Sequence, residues 1–193
     1  MIPEINSKEV KEVIDLFNLG KLKTAENLAK QLINRFPDSA ILFNLMGAIL
    51  SSQKKYDEAI KNFKESLKIN PNNADAENNL GVTYQRLNKL DESIKCHQKA
   101  VKLKPDLAEA HNNLGVVLRN LGKSKEAIVH FRQALKIKPD YKAVNESIGR
   151  VLLDMGNYKD GLEMMSKGVG FIRFCKEKID IINTLNNEKN WNK

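Results

Sequence analysis

Apolar side chains recur at three- and four-residue spacing along most of this chain, and short polar breaks separate the runs. Residues 106–139 show the pattern well. Leu114, Val117, Leu118 and Leu121 form one stripe, Asn120-Leu121-Gly122-Lys123 interrupts it, and Ala127, Ile128, Phe131, Ala134, Leu135 and Ile137 form a second. A stripe at this spacing is the apolar face of an amphipathic helix. Pro139 ends the second run, because proline lacks the N–H that would continue the ladder and clashes with the preceding turn. The segment therefore reads as two helices joined by a tight turn and closed by a proline.

The same unit repeats. Pro3, Pro37, Pro71, Pro105 and Pro139 stand 34 residues apart, and Gly47, Gly81, Gly115 and Gly149 keep that period, with Val13 in the glycine place of the first block. A third column (Ala25, Ala59, Ser93, Ala127, Gly161) is small throughout, and a fourth reads Ala29, Phe63, His97, Phe131, Met165. A fixed period of this length marks a stacked-repeat architecture. It predicts an all-α chain with five blocks at 3–36, 37–70, 71–104, 105–138 and 139–172.

The segments Asn78-Asn79-Leu80-Gly81-Val82-Thr83-Tyr84 and Asn112-Asn113-Leu114-Gly115-Val116-Val117-Leu118, with the Ala, Phe, Ala and Pro columns after them, resemble the tetratricopeptide repeat family. The resemblance implies a right-handed α-solenoid of five helix–turn–helix repeats spanning 3–172. First helices would line a concave groove and second helices would form the convex back. The end blocks depart from the pattern: Glu12 replaces the apolar residue of its column, and Gly161 and Gly168 lie on the last second helix. Such departures suit terminal units that cap an array. Beyond the repeats, Ile179, Ile182 and Leu185 are spaced as a helix, so 173–193 reads as a C-terminal capping helix and a frayed tail. The same segment also fits a docking element or the stub of a linker.

Composition narrows the function. Aromatics are 6% of the 193 residues, no apolar run is long enough to span a bilayer, and Met1–Asn6 carries no signal-peptide pattern. Cys96 and Cys175 form neither a disulfide framework nor a CxxC motif, which fits a reducing, cytoplasmic setting. The net charge of +8 is unevenly placed: first-helix halves carry −6, second-helix halves +13 and the tail +1. Much of the excess follows from acids at the starts and lysines at the ends of second helices, which complements the helix dipole. A groove poor in cations and stacking aromatics disfavours nucleic acid.

The groove positions follow from helical spacing away from the buried stripe. They nominate Asn44, Asn78, Asn79, Val82, Arg86, Asn112, Asn113, Val116, Arg119 and Arg150 as partner-binding residues. Asn79 and Asn113 share a column, with Asn44, Asn78 and Asn112 beside it. Each side-chain amide offers a donor and an acceptor to the backbone of an extended peptide. This is similar to the asparagine ladder in the array of O-linked N-acetylglucosamine transferase, although the column continues as Leu45 and Ser147. Val82 and Val116 would form an apolar floor. Arg86, Arg119 and Arg150 would select acidic groups, unless they pair with nearby carboxylates. The carboxylate clamp of chaperone-binding relatives is not matched, since Glu109 stands where its lysine belongs. Towards the N-terminus the groove positions turn apolar (Val10, Ile14, Phe17, Ile41, Leu45, Ala48), and internal packing of a terminal helix is favoured there over an exposed sticky patch.

Catalysis is not expected. His97 falls in a column of packed rings, His111 in another, and His130 is expected to face outward; no zinc spacing, nucleophile–base pair or phosphate loop appears. The expectation is a cytoplasmic adaptor for a protein or peptide partner, with no cofactor, metal or membrane anchor. A substrate-presenting subunit of a separately encoded glycosyl- or sulfotransferase, or a self-assembling scaffold, remains open.

Overall fold

The computed structural model describes residues 7–169. The expected capping helix and tail at 173–193, and the outer limits of the repeat span at 3 and 172, lie outside the described residues. Every regular element among the described residues is helical. The chain divides into two units, Met1–Pro105 and Asp106–Lys193. The first holds α1 (Ser7–Asn18), α2 (Leu22–Arg35), α3 (Ala40–Ser52), α4 (Tyr56–Ile69), α5 (Ala74–Arg86) and α6 (Leu90–Leu103). The second holds α7 (Ala108–Asn120), α8 (Ser124–Ile137), α9 (Lys142–Asp154) and α10 (Tyr158–Val169). Consecutive helices pair as hairpins, and α1, α3 and α5 also touch in sequence along one side of the first unit.

Each hairpin closes around one small residue. A Cβ added at Gly47 would stand 2.6 Å from the Phe63 ring, one at Gly81 2.7 Å from His97, and one at Gly115 2.7 Å from Phe131. These distances are shorter than any side-chain carbon tolerates, so the rings lie flat against bare helix backbone. Phe63, His97 and Phe131 are sealed from solvent, and burying a ring such as Phe contributes about 1.5–3 kcal/mol. The first hairpin inverts the residue sizes: Val13 stands in the glycine column and Ala29 in the ring column, and both are buried. Accordingly α1 and α2 approach less closely than the other pairs. In the last hairpin, Gly161 is more than a weak helix former. Its carbonyl would lie 2.6 Å from a Cβ on Gly149, so two glycines bring the α9 and α10 backbones together.

The turns inside the hairpins form a further column at the same period. Gly20, Lys54, Asn88, Gly122 and Gly156 all adopt positive φ, between 57° and 79°. The residue after each donates back across the turn, as Lys55 N–H does to Leu50 C=O (2.9 Å) and Lys123 N–H to Leu118 C=O (2.9 Å). That six-to-one bond with a left-handed residue is a Schellman stop, which reverses the chain within three residues. Lysine at position 54 bears a Cβ penalty of about 1–2 kcal/mol there.

Two substitutions with opposite sign test this packing. Lys54→Gly should raise unfolding stability by about 1 kcal/mol. Gly115→Ala should lower it, because overpacking against Phe131 costs about 1–3 kcal/mol and outweighs the roughly 1 kcal/mol helix-propensity gain. Urea denaturation followed by circular dichroism reads both.

Candidate peptide-binding face

Helices α1, α3 and α5 border an open cleft of about 450 Å³, which the Phe63 ring of α4 also lines. Ile14 and Phe17 from α1, Leu45 and Ala48 from α3, and Asn79 and Val82 from α5 line it. No lining residue carries a charge. Ile14 is 37% exposed and Ile41, earlier on α3, 51%. Phe17, Leu45 and Ala48 are half-buried and pack against the core, in line with the expected internal packing, while Ile14 and Ile41 stay exposed. Helix α3 is apolar on nearly all sides, so burying Leu42, Met46, Ile49 and Leu50 in the core leaves Ile41, Leu45 and Ala48 on the other face.

Polar contacts hold the cleft's geometry. Asn79 Nδ2 donates to Asn44 Oδ1 (3.1 Å), tying α5 to α3 at the cleft margin. Thr83 Oγ1 donates to Asn79 C=O (2.9 Å) and accepts from Ser51 Oγ (3.2 Å), a second tie between the same helices. Glu26 on α2 accepts from Lys30 Nζ (2.8 Å), Gln53 Nε2 (3.0 Å) and Lys55 Nζ (3.3 Å), which fastens the first hairpin to the turn of the second. Those hydrogen bonds, Lys30 foremost and then Gln53, hold the Glu26 carboxyl down at about 2 against the burial that opposes ionisation. Spacing alone does not single out this carboxylate, because its partners Gln53 and Lys55 come from another repeat.

The ten nominated residues divide. Asn79, Val82 and Asn44 stand at the cleft or on its margin. Arg86 is exposed at the end of α5. Asn78 is turned away from the face: it is buried, with Oδ1 3.0 Å from His97 Nδ1. One residue before Asn79 is about 100° round the helix, enough to point at the hairpin partner. With Oδ1 as acceptor, His97 carries its proton on Nδ1. In the second unit, Asn112 is half-buried with Oδ1 in the interior, so it too turns inward; Asn113 and Val116 are half-buried on α7. The two arginines of the second unit are already paired. Arg119 Nε donates to Asp154 Oδ2 (2.7 Å), and Arg150 Nη2 to Glu146 Oε1 (2.5 Å), so both guanidinium groups already hold carboxylates.

The remaining reactive side chains offer no catalytic arrangement among the described residues. Cys96 is buried, and burial with the nearby Glu77 charge pushes its thiol up to about 12. Cys175 lies outside the described residues. His97 is sealed in the core as expected, while His130, expected to face outward, is half-buried against His111. Among the described residues, no group of three or more His, Cys, Asp and Glu could hold a metal ion, and no helix is long and apolar enough to cross a membrane.

Comparison with known proteins agrees with this geometry. The tetratricopeptide repeat model matches residues 72–140, and a second TPR repeat model matches 47–88. Residues 47–140 of this chain are tetratricopeptide repeats. No curated protein matches the sequence. Among solved structures, the chain is similar to MamA (19% identity, 91% of this chain and 98% of that one covered, TM-score 0.70). It is also similar to TTC0263, a thermophilic TPR protein in Thermus thermophilus (16% identity, 92% and 98% covered, TM-score 0.73). A third is YrrB, described as a TPR protein with an unusual peptide-binding site (22% identity, 84% of each chain covered, TM-score 0.64). At these identities the likeness is one of fold. The tetratricopeptide repeats pair Gly with Phe or His, and His97 is the polar member of that column.

Burial lowers the His97 pKa from 6.5 to about 4. Between those values the unfolded chain binds a proton that the folded chain refuses, so stability falls as pH drops from 6.5 to 4 and levels off below. The loss should total about 3 kcal/mol. Glu26, with its pKa depressed from 4.5 to about 2, adds a separate loss as pH falls through that lower range. His97→Phe should remove most of the upper phase, leaving the smaller contribution of His130, whose pKa is also lowered, and spare the lower one, as read by urea denaturation across pH.

Proposed function

We propose that the chain is a non-catalytic protein-interaction adaptor that holds a partner segment against α1, α3 and α5. The observation that carries this reading is the neutral, mostly apolar cleft with the Asn44–Asn79 amide pair at its margin. Apolar surface kept open and rimmed by polar groups favours a partner's apolar side chains. A cleft of about 450 Å³ accommodates a few of them. Asn79 Oδ1 and Asn44 Nδ2, which their mutual bond does not use, would bond a ligand's backbone, which favours an extended segment whose anchors are aliphatic or aromatic.

This shifts the recognised chemistry from the acidic groups that the arginines suggested. Arg119 and Arg150 are occupied by Asp154 and Glu146, and the cleft lacks a cation to offer a carboxylate. The peptide-binding site attributed to YrrB is a precedent for such a role on this fold.

Cross-linking pull-down with mass spectrometry from the source cells tests the reading. The wild-type chain should capture a partner whose cross-links map to α1, α3 and α5. Ala48→Glu should reduce recovery at least about tenfold, since a buried carboxylate in an apolar contact has no counter-charge. Asn79→Ala should weaken capture by about two- to tenfold, the range for one hydrogen bond. Both variants should keep wild-type helicity. Undiminished recovery by Ala48→Glu overturns the proposal.

A further inference from the structure

The second unit contains an imidazole pair that the adaptor role does not use. His111 on α7 and His130 on α8 point their Nδ1 atoms at each other across 3.2 Å, with ring centroids 5.5 Å apart and planes tilted by 30°. They belong to the two arms of one hairpin, which Gly115, one turn on from His111, and Phe131, next to His130, lock together. His111 is buried and cannot swing out to solvent, while His130 is half-buried and leaves the pair a path to water.

Two nitrogens bound at about 2.0–2.1 Å to one tetrahedral ion stand about 3.3 Å apart. The observed 3.2 Å, an N–H···N hydrogen bond in the metal-free chain, is close to that bite. We propose that His111 and His130 chelate a first-row divalent ion of the imidazole-preferring class (Zn²⁺, Ni²⁺ or Cu²⁺) across α7 and α8. Without the ion, one Nδ1–H donates to the other ring. On binding, the donor ring changes tautomer, its proton passing through solvent from Nδ1 to its own Nε2, so that both neutral rings offer an Nδ1 lone pair to the metal.

Glu126 lies one turn earlier on α8 and is exposed. No third ligand is in place among the described residues, so water completes the shell and the ion exchanges readily. The class is set by the ligand: imidazole nitrogen favours these borderline ions over Mg²⁺ or Ca²⁺.

The sequence makes the test clean, because the chain has three histidines and the third, His97, is sealed in the core. Calorimetric titration of the full chain with NiCl₂ should show one ion bound per chain, with a dissociation constant on the order of micromolar. His130→Gln, which keeps a hydrogen-bonding side chain, should weaken binding at least about tenfold with helicity unchanged. ZnCl₂ should raise the melting temperature of the wild-type chain but not of that variant. His97→Phe should bind as the wild type does. No uptake by the wild-type chain, equal uptake by His130→Gln, or loss of uptake in His97→Phe would each overturn the proposal.

Discussion

Everything in this fold follows from how closely two helices of one hairpin can approach. Where Gly47, Gly81 and Gly115 remove a side chain, the ring of Phe63, His97 or Phe131 rests on helix backbone, and dispersion contacts accumulate at a distance no other residue permits. Because one glycine per first helix fixes which side meets the partner, it also fixes which side is left over. Leu45 and Ala48 flank Gly47 along α3 and line the open cleft, and Val82 follows Gly81 on α5 to do the same. The open face of the first unit is thus a consequence of the packing rule inside each hairpin.

Variation on that rule accounts for the differences between hairpins. Val13 with Ala29 conserves volume by exchanging the large and small partners, at the expense of a wider α1–α2 spacing. His97 keeps the ring shape of phenylalanine but brings two polar nitrogens into the core. Asn78 answers one of them and is drawn off the surface to do so. The neighbouring amide, Asn79, stays at the margin of the cleft, where it bonds Asn44 of α3. Asn44 belongs to the column of Asn78, so one column serves the surface at Asn44 and the core at Asn78.

The period of 34 makes the hairpins legible from sequence, since proline, glycine and ring columns each report one physical event per repeat. It is less informative about sides of a helix. Asn78 and Asn112 look equivalent to Asn79 and Asn113 as polar residues in a first helix, and the roughly 100° between neighbours decides otherwise. Arg119, read as a ligand contact, is already bound by Asp154, one repeat further along the chain. Such cross-repeat pairs are visible as spacings only once the period is applied to charges as well as to apolar residues. The positive-φ column from Gly20 to Gly156 is hidden for a different reason: Lys54 and Asn88 interrupt its glycines, and only the backbone shows that all of these residues share one conformation.

Thiol labelling within the first unit bears on the open cleft without needing a partner. In a chain with Cys96 and Cys175 replaced by alanine, a single cysteine is introduced at Ala48 or at Met46, two positions on α3 that differ in the face they occupy. Cysteine at 48 should react with a small alkylating reagent within about a factor of ten of the unfolded chain, while cysteine at 46 should be slowed at least about a hundredfold by the folded core. Equal protection at the two positions would mean that the face of α1, α3 and α5 is covered in the free protein, and the open cleft would be refuted.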